Sequence, residues 1–172
     1  MTTTSSGLGS RSNELPQEQW ITNPETGEKI VKVGDMSFPP RKVWMHTFGC
    51  QMNYHDTERV LSHLKNLNFE KTEKQDEADL VLFNTCAIRD LSNQKFYSKL
   101  GDTKHLKKKN PDVKVGVGGC VAQTEGKELV KKYKHLDFSF GTDVIDTINE
   151  LVYRSYAGED AIAINTWDRS QN

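Results

Sequence analysis

From residue 41 onward, short apolar runs rich in β-branched and aromatic residues alternate with helix-length amphipathic segments. This alternation constrains the fold more than any other feature of the chain. Strands separated by helices cannot pair through tight hairpins. They return in parallel, and a parallel sheet has to be covered on both faces.

The first run spans residues 43–48 (VWMHTF) and stops at Gly49. A helix is expected over 53–67, with Val60, Leu61, Leu64 and Leu67 along one face and Asp56 in its first turn, where a negative charge suits the helix dipole. Phe69 marks a short second strand. Residues 78–84 (ADLVLFN) form a continuous apolar run, the pattern of a strand buried on both faces. One long helix is expected over 93–109, burying Phe96, Tyr97, Leu100 and Leu106 and ended by Asn110-Pro111. A strand over 113–117, a helix over 121–133 and a strand over 136–140 follow. Gly141-Thr142 then opens a last helix over 143–156, with Asp143 and Asp146 near its start, and 161–164 is a possible edge strand. The expectation is an α/β, flavodoxin-like doubly wound domain: a mostly parallel five-stranded sheet with helices on both faces.

Residues 1–40 are rich in Ser, Thr, Asn, Gly and Pro and read as a mobile leader, with one short strand near 30–33. The domain proper is expected over 41–157, with 158–172 as a linker. The chain holds 23 Lys and Arg against 24 Asp and Glu, so no strong overall field favours or excludes nucleic acid. No apolar run approaches the roughly 20 residues needed to cross a bilayer. The first ten residues lack the apolar segment of a secretory signal, so a cytoplasmic location, where thiols stay reduced, is expected.

There are three cysteines, an odd number in a reducing compartment, which argues against a disulfide framework. Each follows a predicted strand directly: Phe48-Gly49-Cys50, Asn84-Thr85-Cys86 and Gly118-Gly119-Cys120. Their separations, 36 and 34 positions, are too long for a local zinc knuckle but match the length of a βαβ unit. In a parallel doubly wound sheet all strand carboxyl ends lie along one edge, where ligand sites form. The fold itself can therefore gather the three thiolates. Thiolate clusters select zinc, copper(I) or iron–sulfur centres. Zinc would want a fourth ligand, for which His46 and His55 are nearest in sequence. Three thiolates on a 4Fe–4S cluster leave one iron open. The bland alternative is three buried cysteines that only pack.

The stretches Gly49-Cys50-Gln51-Met52-Asn53, Asn84-Thr85-Cys86-Ala87-Ile88-Arg89 and Gly116-Val117-Gly118-Gly119-Cys120-Val121-Ala122-Gln123 resemble the amino-terminal domain of the radical S-adenosylmethionine methylthiotransferases. The resemblance runs from about residue 42 to 150, with the motifs in order and at the right spacing. Gln-Met-Asn after Cys50 and Ile-Arg after Cys86 resemble the MiaB type, which makes 2-methylthio-N6-isopentenyladenosine in tRNA next to the anticodon. Relatives acting on threonylcarbamoyl-adenosine or on a ribosomal-protein aspartate are the alternatives.

The resemblance implies that Cys50, Cys86 and Cys120 hold an auxiliary 4Fe–4S cluster whose open iron receives the sulfur to be transferred. It also implies a second 4Fe–4S cluster, which cleaves S-adenosylmethionine and is held by a Cys-x-x-x-Cys-x-x-Cys motif. That motif does not occur in these residues. The radical domain and the RNA-binding domain are thus expected in further sequence or a separate subunit, and these residues alone are expected to be inactive on tRNA.

Gly49 and Gly119 are read either as close-approach positions at the cluster or as plain turn residues. Gln51, Asn53 and Asn84 are candidates for hydrogen bonding around it, with capping roles as the alternative. Arg89, with contact to substrate or cluster as the alternative, and the lysine groups 107–109 and 131, 132 and 134, with contact to RNA phosphates as the alternative, read as solvent-facing charge. A flavodoxin-like binder of small molecules is a third functional option, but no convincing phosphate-cradling loop supports it.

Overall fold

The computed structural model describes residues 17–48, 51–85, 90–159 and 162–164. Its centre is a parallel sheet of β4 (Arg41–Thr47), β5 (Phe69–Lys71), β6 (Leu80–Thr85), β7 (Lys114–Gly119), β8 (Phe138–Phe140) and β9 (Ile162–Ile164). In space the order is β5-β4-β6-β7-β8-β9. Numbered along the chain within this sheet, that is 2-1-3-4-5-6, the flavodoxin-like order with one strand added at the edge. The five expected strands are all present, and the short run near the end of the described chain supplies the sixth.

Side chains of a strand alternate between the faces, and β6 shows why its sequence is apolar throughout. Leu80 and Leu82 join the core on one side of the sheet while Val81 and Phe83 join the core on the other. All four have no solvent exposure. Burial of a side chain the size of Phe83 contributes about 2–3 kcal/mol.

Two helices cover one face: α1 (Gln51–Leu64) through Val60 and Leu64, and α5 (Ile148–Tyr156) through Ile148, Leu151 and Val152. The opposite face is covered by α2 (Asp90–Asp102) through Phe96 and Leu100, α3 (Lys104–Lys109) through Leu106, and α4 (Cys120–Lys132) through Val121, Ala122 and Leu129. The expected doubly wound arrangement, with helices on both faces, is what forms.

Helix boundaries depart from the sequence reading in three places. The single helix expected over 93–109 is two. Thr103 turns its hydroxyl back onto the Leu100 carbonyl at 2.6 Å, competing with the helical ladder where Gly101 already weakens it. The helix expected to reach residue 67 passes into a 3-10 turn over Lys65–Leu67, closed by Asn68 in the left-handed conformation (φ 69°). The last helix begins as a 3-10 segment, Thr142–Thr147, before α5.

The reading of residues 1–40 as a mobile leader is corrected over 18–38. There β1 (Glu18–Thr22), β2 (Lys29–Val33) and β3 (Met36–Phe38) form a three-stranded antiparallel sheet. Val31, Val33 and Phe38 have no solvent exposure and belong to the same core as α1 and α5. The Phe38 ring meets Tyr156 edge-on at 5.9 Å, and the Arg41 guanidinium lies 4.5 Å over the Tyr156 ring. Asn68 ties the two sheets together, its Nδ2 donating to the carbonyls of Lys29 (2.7 Å) and Phe38 (3.0 Å). The Ser/Asn/Gly-rich composition of the leader concealed three apolar inward positions. Along this stretch the apolar residues alternate with exposed ones at period two, which is enough for a sheet with one buried face.

Candidate metal centre

The three strands that lead into the cysteines are consecutive neighbours in the sheet: β4, β6 and β7. Their carboxyl ends are level. Thr47 pairs with Asn84, Asn84 with Gly118, and Thr85 with Gly119. Cys120 is the first residue of α4, half-buried, and is a free thiol. Cys50 and Cys86 lie outside the described residues, as do Gly49 and Arg89, but the chain on either side of them is described. Cys50 falls between Phe48 and the start of α1 at Gln51. Cys86 directly follows Thr85, the last residue of β6. This edge is also the topological switch point, because the chain leaves β4 for β5 on one side and then passes to β6 on the other.

Beneath these turns lies a chain of polar contacts in an otherwise apolar interior. The Thr47 and Thr57 hydroxyls are 2.7 Å apart. Asn84 Nδ2 donates to Thr57 Oγ1 at 3.1 Å, and the Phe48 amide donates to the Asn84 carbonyl at 2.8 Å. Next to it, Thr85 Oγ1 donates to the Gly118 carbonyl at 2.7 Å and accepts the Val121 amide at 3.2 Å. Asn84 and Thr85 are both buried. The first set joins β4, α1 and β6, and the second joins β6, β7 and α4 on the other face of the sheet. On the face covered by α2 and α4, Phe48, Phe83 and Phe96 form an aromatic floor, with Phe48–Phe83 at 6.1 Å and Phe48–Phe96 at 5.9 Å between ring centres.

Gly119 shows why a glycine precedes Cys120. Its φ is +96°, and a Cβ built there would lie 2.3 Å from the Thr85 carbonyl oxygen and 2.7 Å from Asn84 Oδ1. Backbone thus runs against backbone, and no side chain fits between. The close approach seen here is to the backbone of β6, and the positive φ suits the turn reading.

Asn84, expected around the centre or as a cap, spends its amide on Thr57. The side chains of Gln51 and Asn53 lie outside the described residues. Thr57 was not legible as a site residue: it sits inside α1, seven positions after Cys50, and nothing in its immediate sequence marks it. Gln123 follows Cys120 by one helical turn, and its buried Oε1 has no hydrogen-bond partner among the described residues.

His46 and His55, the candidate fourth ligands to zinc, differ in their surroundings. His46 is stacked with Trp44 (5.8 Å between ring centres, 18° between planes) and packs against Phe48 at 4.4 Å. Burial of its ring, with Lys99 nearby, holds its pKa below the usual 6.5. His55 is exposed. Among the described residues no three His, Cys, Asp or Glu side chains form a metal-binding group.

The lysine groups divide. Lys108, Lys109, Lys131 and Lys132 are exposed, as expected of solvated charge, whereas Lys107 forms an ion pair with Asp137 at 2.6 Å. No helix among the described residues is long and apolar enough to cross a membrane.

Comparison with known proteins matches residues 42–141 to the uncharacterized protein family UPF0004. Three curated relatives bear the name tRNA-2-methylthio-N(6)-dimethylallyladenosine synthase. The Bdellovibrio bacteriovorus protein is 45% identical over 80% of this chain and 29% of its own length. The Thermodesulfovibrio yellowstonii protein is 47% identical over 65% of this chain and 26% of its own. The Aquifex aeolicus protein is 44% identical over 72% and 28%. The chain thus spans under a third of the length of these relatives. Among solved structures, a short-chain flavodoxin associated with a non-canonical PDU bacterial microcompartment aligns over 73% of this chain and 83% of its own, with 16% identity and a TM-score of 0.31. That likeness is too slight to bear on the fold, which stands on the strand order. With more than half of its residues matched, and with such relatives, this chain belongs to the UPF0004 family and corresponds to the amino-terminal part of tRNA methylthiotransferases.

Proposed function

We propose that this chain is the cluster-binding domain of a MiaB-type tRNA methylthiotransferase, acting on C2 of N6-isopentenyladenosine next to the anticodon. The observation that carries this reading is the level register of β4, β6 and β7, three neighbouring strands that each end within three residues of a cysteine in the sequence. The names of the relatives supply the reaction and the tRNA substrate.

The described residues fit a cluster of this kind. Cys120 offers a half-buried thiol at the head of α4, where the positive end of the helix dipole favours an anionic group. Cys50, Cys86 and Cys120 would hold the cluster, and its three-thiolate ligation would leave one iron open to take up the sulfur for transfer. The remaining work of this chain is positional. The Thr47–Thr57–Asn84 contacts hold the β4 and β6 turns in register. The aromatic floor of Phe48, Phe83 and Phe96 keeps water from reaching the site through the core.

S-adenosylmethionine, the second 4Fe–4S cluster and most tRNA contacts belong, on this reading, to the radical and RNA-binding parts of the complete enzyme. The linker expected from residue 158 is corrected over 162–164, where β9 still pairs with β8, so these parts would follow β9. The setting is cytoplasmic, where the thiols stay reduced.

The test joins the chain to the downstream portion of a close relative and expresses it in cells lacking their own methylthiotransferase. Mass spectrometry of tRNA nucleosides should show 2-methylthio-N6-isopentenyladenosine with the wild-type cysteines and none with Cys120→Ala. A wild-type fusion that is folded and loaded with both clusters, yet leaves N6-isopentenyladenosine unmodified, would refute the substrate.

A further inference from the structure

We propose that Thr85 is a positioning residue of the metal centre, whose hydroxyl fixes the end of β6, immediately before Cys86, against the helix that begins with Cys120. The inference rests on the reading of this edge as a cluster site and adds to it the device that sets the spacing of two of its ligands.

The geometry is specific. Thr85 is the last residue of β6, it is 1% exposed, and its register partner in β7 is Gly119. Its hydroxyl donates to the Gly118 carbonyl at 2.7 Å and accepts the Val121 amide at 3.2 Å. One side chain adjacent to Cys86 therefore grips the backbone on both sides of Cys120, two residues before it and one after. The Thr85 carbonyl is also the atom that a Cβ on Gly119 would strike. Contact between the two turns is thus made by side chain and main chain together.

The arrangement also fills a gap in α4. Its N-cap position is Gly119, which has no side chain to bond the first free amides, and no side-chain cap bond is formed there. Thr85 performs that task from another strand. A local serine or threonine cap would bond the same amide but add no contact between the helix start and β6 beyond the strand ladder. A cap delivered from β6 ties the helix start to the neighbouring ligand. The branched side chain strengthens the tie, because threonine has few χ1 rotamers. Cluster ligation needs thiolates held at fixed separation, and residues that orient ligands typically change metal affinity about 10–100-fold when removed.

The consequence for the backbone amides at this helix start is definite. The Val121 N–H is directed to Thr85 and is not available to cluster sulfur, so amides elsewhere in the turn would have to supply such bonds.

The test compares the 172-residue chain with Thr85→Val, which keeps the shape and loses the hydroxyl, and Thr85→Ser, which keeps the hydroxyl. Val152→Ala, in α5 on the opposite face of the sheet, serves as a control for lost stability. Each is reconstituted anaerobically with ferrous iron and sulfide. Release of iron to a chelator and the reduction potential of the cluster are then measured, with urea unfolding of the metal-free chains as reference. Thr85→Val should release iron about tenfold faster or more and shift the potential, while Thr85→Ser and Val152→Ala stay within about twofold of wild type.

Release by Thr85→Val within about twofold of wild type would overturn the proposal, as would equal acceleration by Val152→Ala. If Thr85→Val does not fold, Thr85→Ala takes its place. Failure of both to fold would make Thr85 a folding residue and overturn the assignment. A folded wild-type chain that takes up no iron refutes the proposed function itself, and is told apart from failure of this inference because it appears before any substitution is made.

Discussion

Thr85 and Gly119 sit opposite each other at the ends of β6 and β7, so close that a Cβ on the glycine would lie 2.3 Å from the threonine carbonyl oxygen. Because the obstacle is backbone, it cannot swing aside as a flexible side chain would. Gly119 also has φ +96°, where L side chains are strained. Gly119→Ala should therefore destabilise the chain by about 3 kcal/mol or more, the sum of backbone strain and displacement of β6 from β7. The urea midpoint should fall with little change in slope. A loss below about 0.5 kcal/mol, the range of an ordinary surface substitution, would contradict this account of the turn.

Asp137 ties α3 to the sheet from the other end of the strands. Its Oδ2 accepts both Lys107 Nζ at 2.6 Å and the Val115 amide at 2.8 Å, and the ion pair is about four-fifths buried on each side. Asp137→Ala removes both partners at once and should cost about 2 kcal/mol in chemical denaturation. Lys108→Ala, an exposed neighbour, should change stability by less than about 0.5 kcal/mol. Equal effects of the two substitutions would contradict the distinction between paired and solvated lysines.

His46 gives the chain a pH dependence of definite sign. Desolvation of its ring, with a smaller effect of Lys99, lowers its pKa below 6.5 in the folded state. The unfolded chain then takes up this proton more readily than the folded one. The stability owed to the neutral ring is complete above pH 6.5 and is lost as the pH falls from there through the lowered folded value. Urea unfolding at about pH 7.5 and about pH 5.5 should show a smaller loss on acidification for His46→Gln than for wild type. An unchanged or larger loss would contradict the burial of a neutral ring.

Much of the architecture was legible because the decisive signals are local. The apolar run at 78–84 has room for only one kind of strand, and Gly-Gly before Cys120 and Asn-Thr before Cys86 mark where strands stop. The parallel pairing of the strands followed from their alternation with helices, whereas their order came with the structure. The antiparallel sheet at the amino end was hidden because Val31, Val33 and Phe38 are few and scattered among turn-forming residues. They become a core only when α1 and α5 supply the other side. The break at Thr103 was hidden for a related reason: a hydroxyl competing for a carbonyl one turn back leaves no trace in hydrophobic periodicity. At the candidate centre, the positions of the cysteines after their strands could be read directly. The contacts among Thr47, Thr57, Asn84 and Thr85 could not, because residues far apart in sequence meet only through the register of the sheet.

The central claim is that the level ends of β4, β6 and β7 bring three thiolates to one iron–sulfur cluster. The most direct measurement is iron and sulfide content after anaerobic reconstitution of wild type, Cys50→Ala, Cys86→Ala and Cys120→Ala, with electron paramagnetic resonance of the reduced samples. The account predicts about four irons per wild-type chain with a 4Fe–4S signal, and loss of both in every single variant. A full complement of iron retained in all three variants, or zinc bound in place of iron by the wild-type chain, would contradict it.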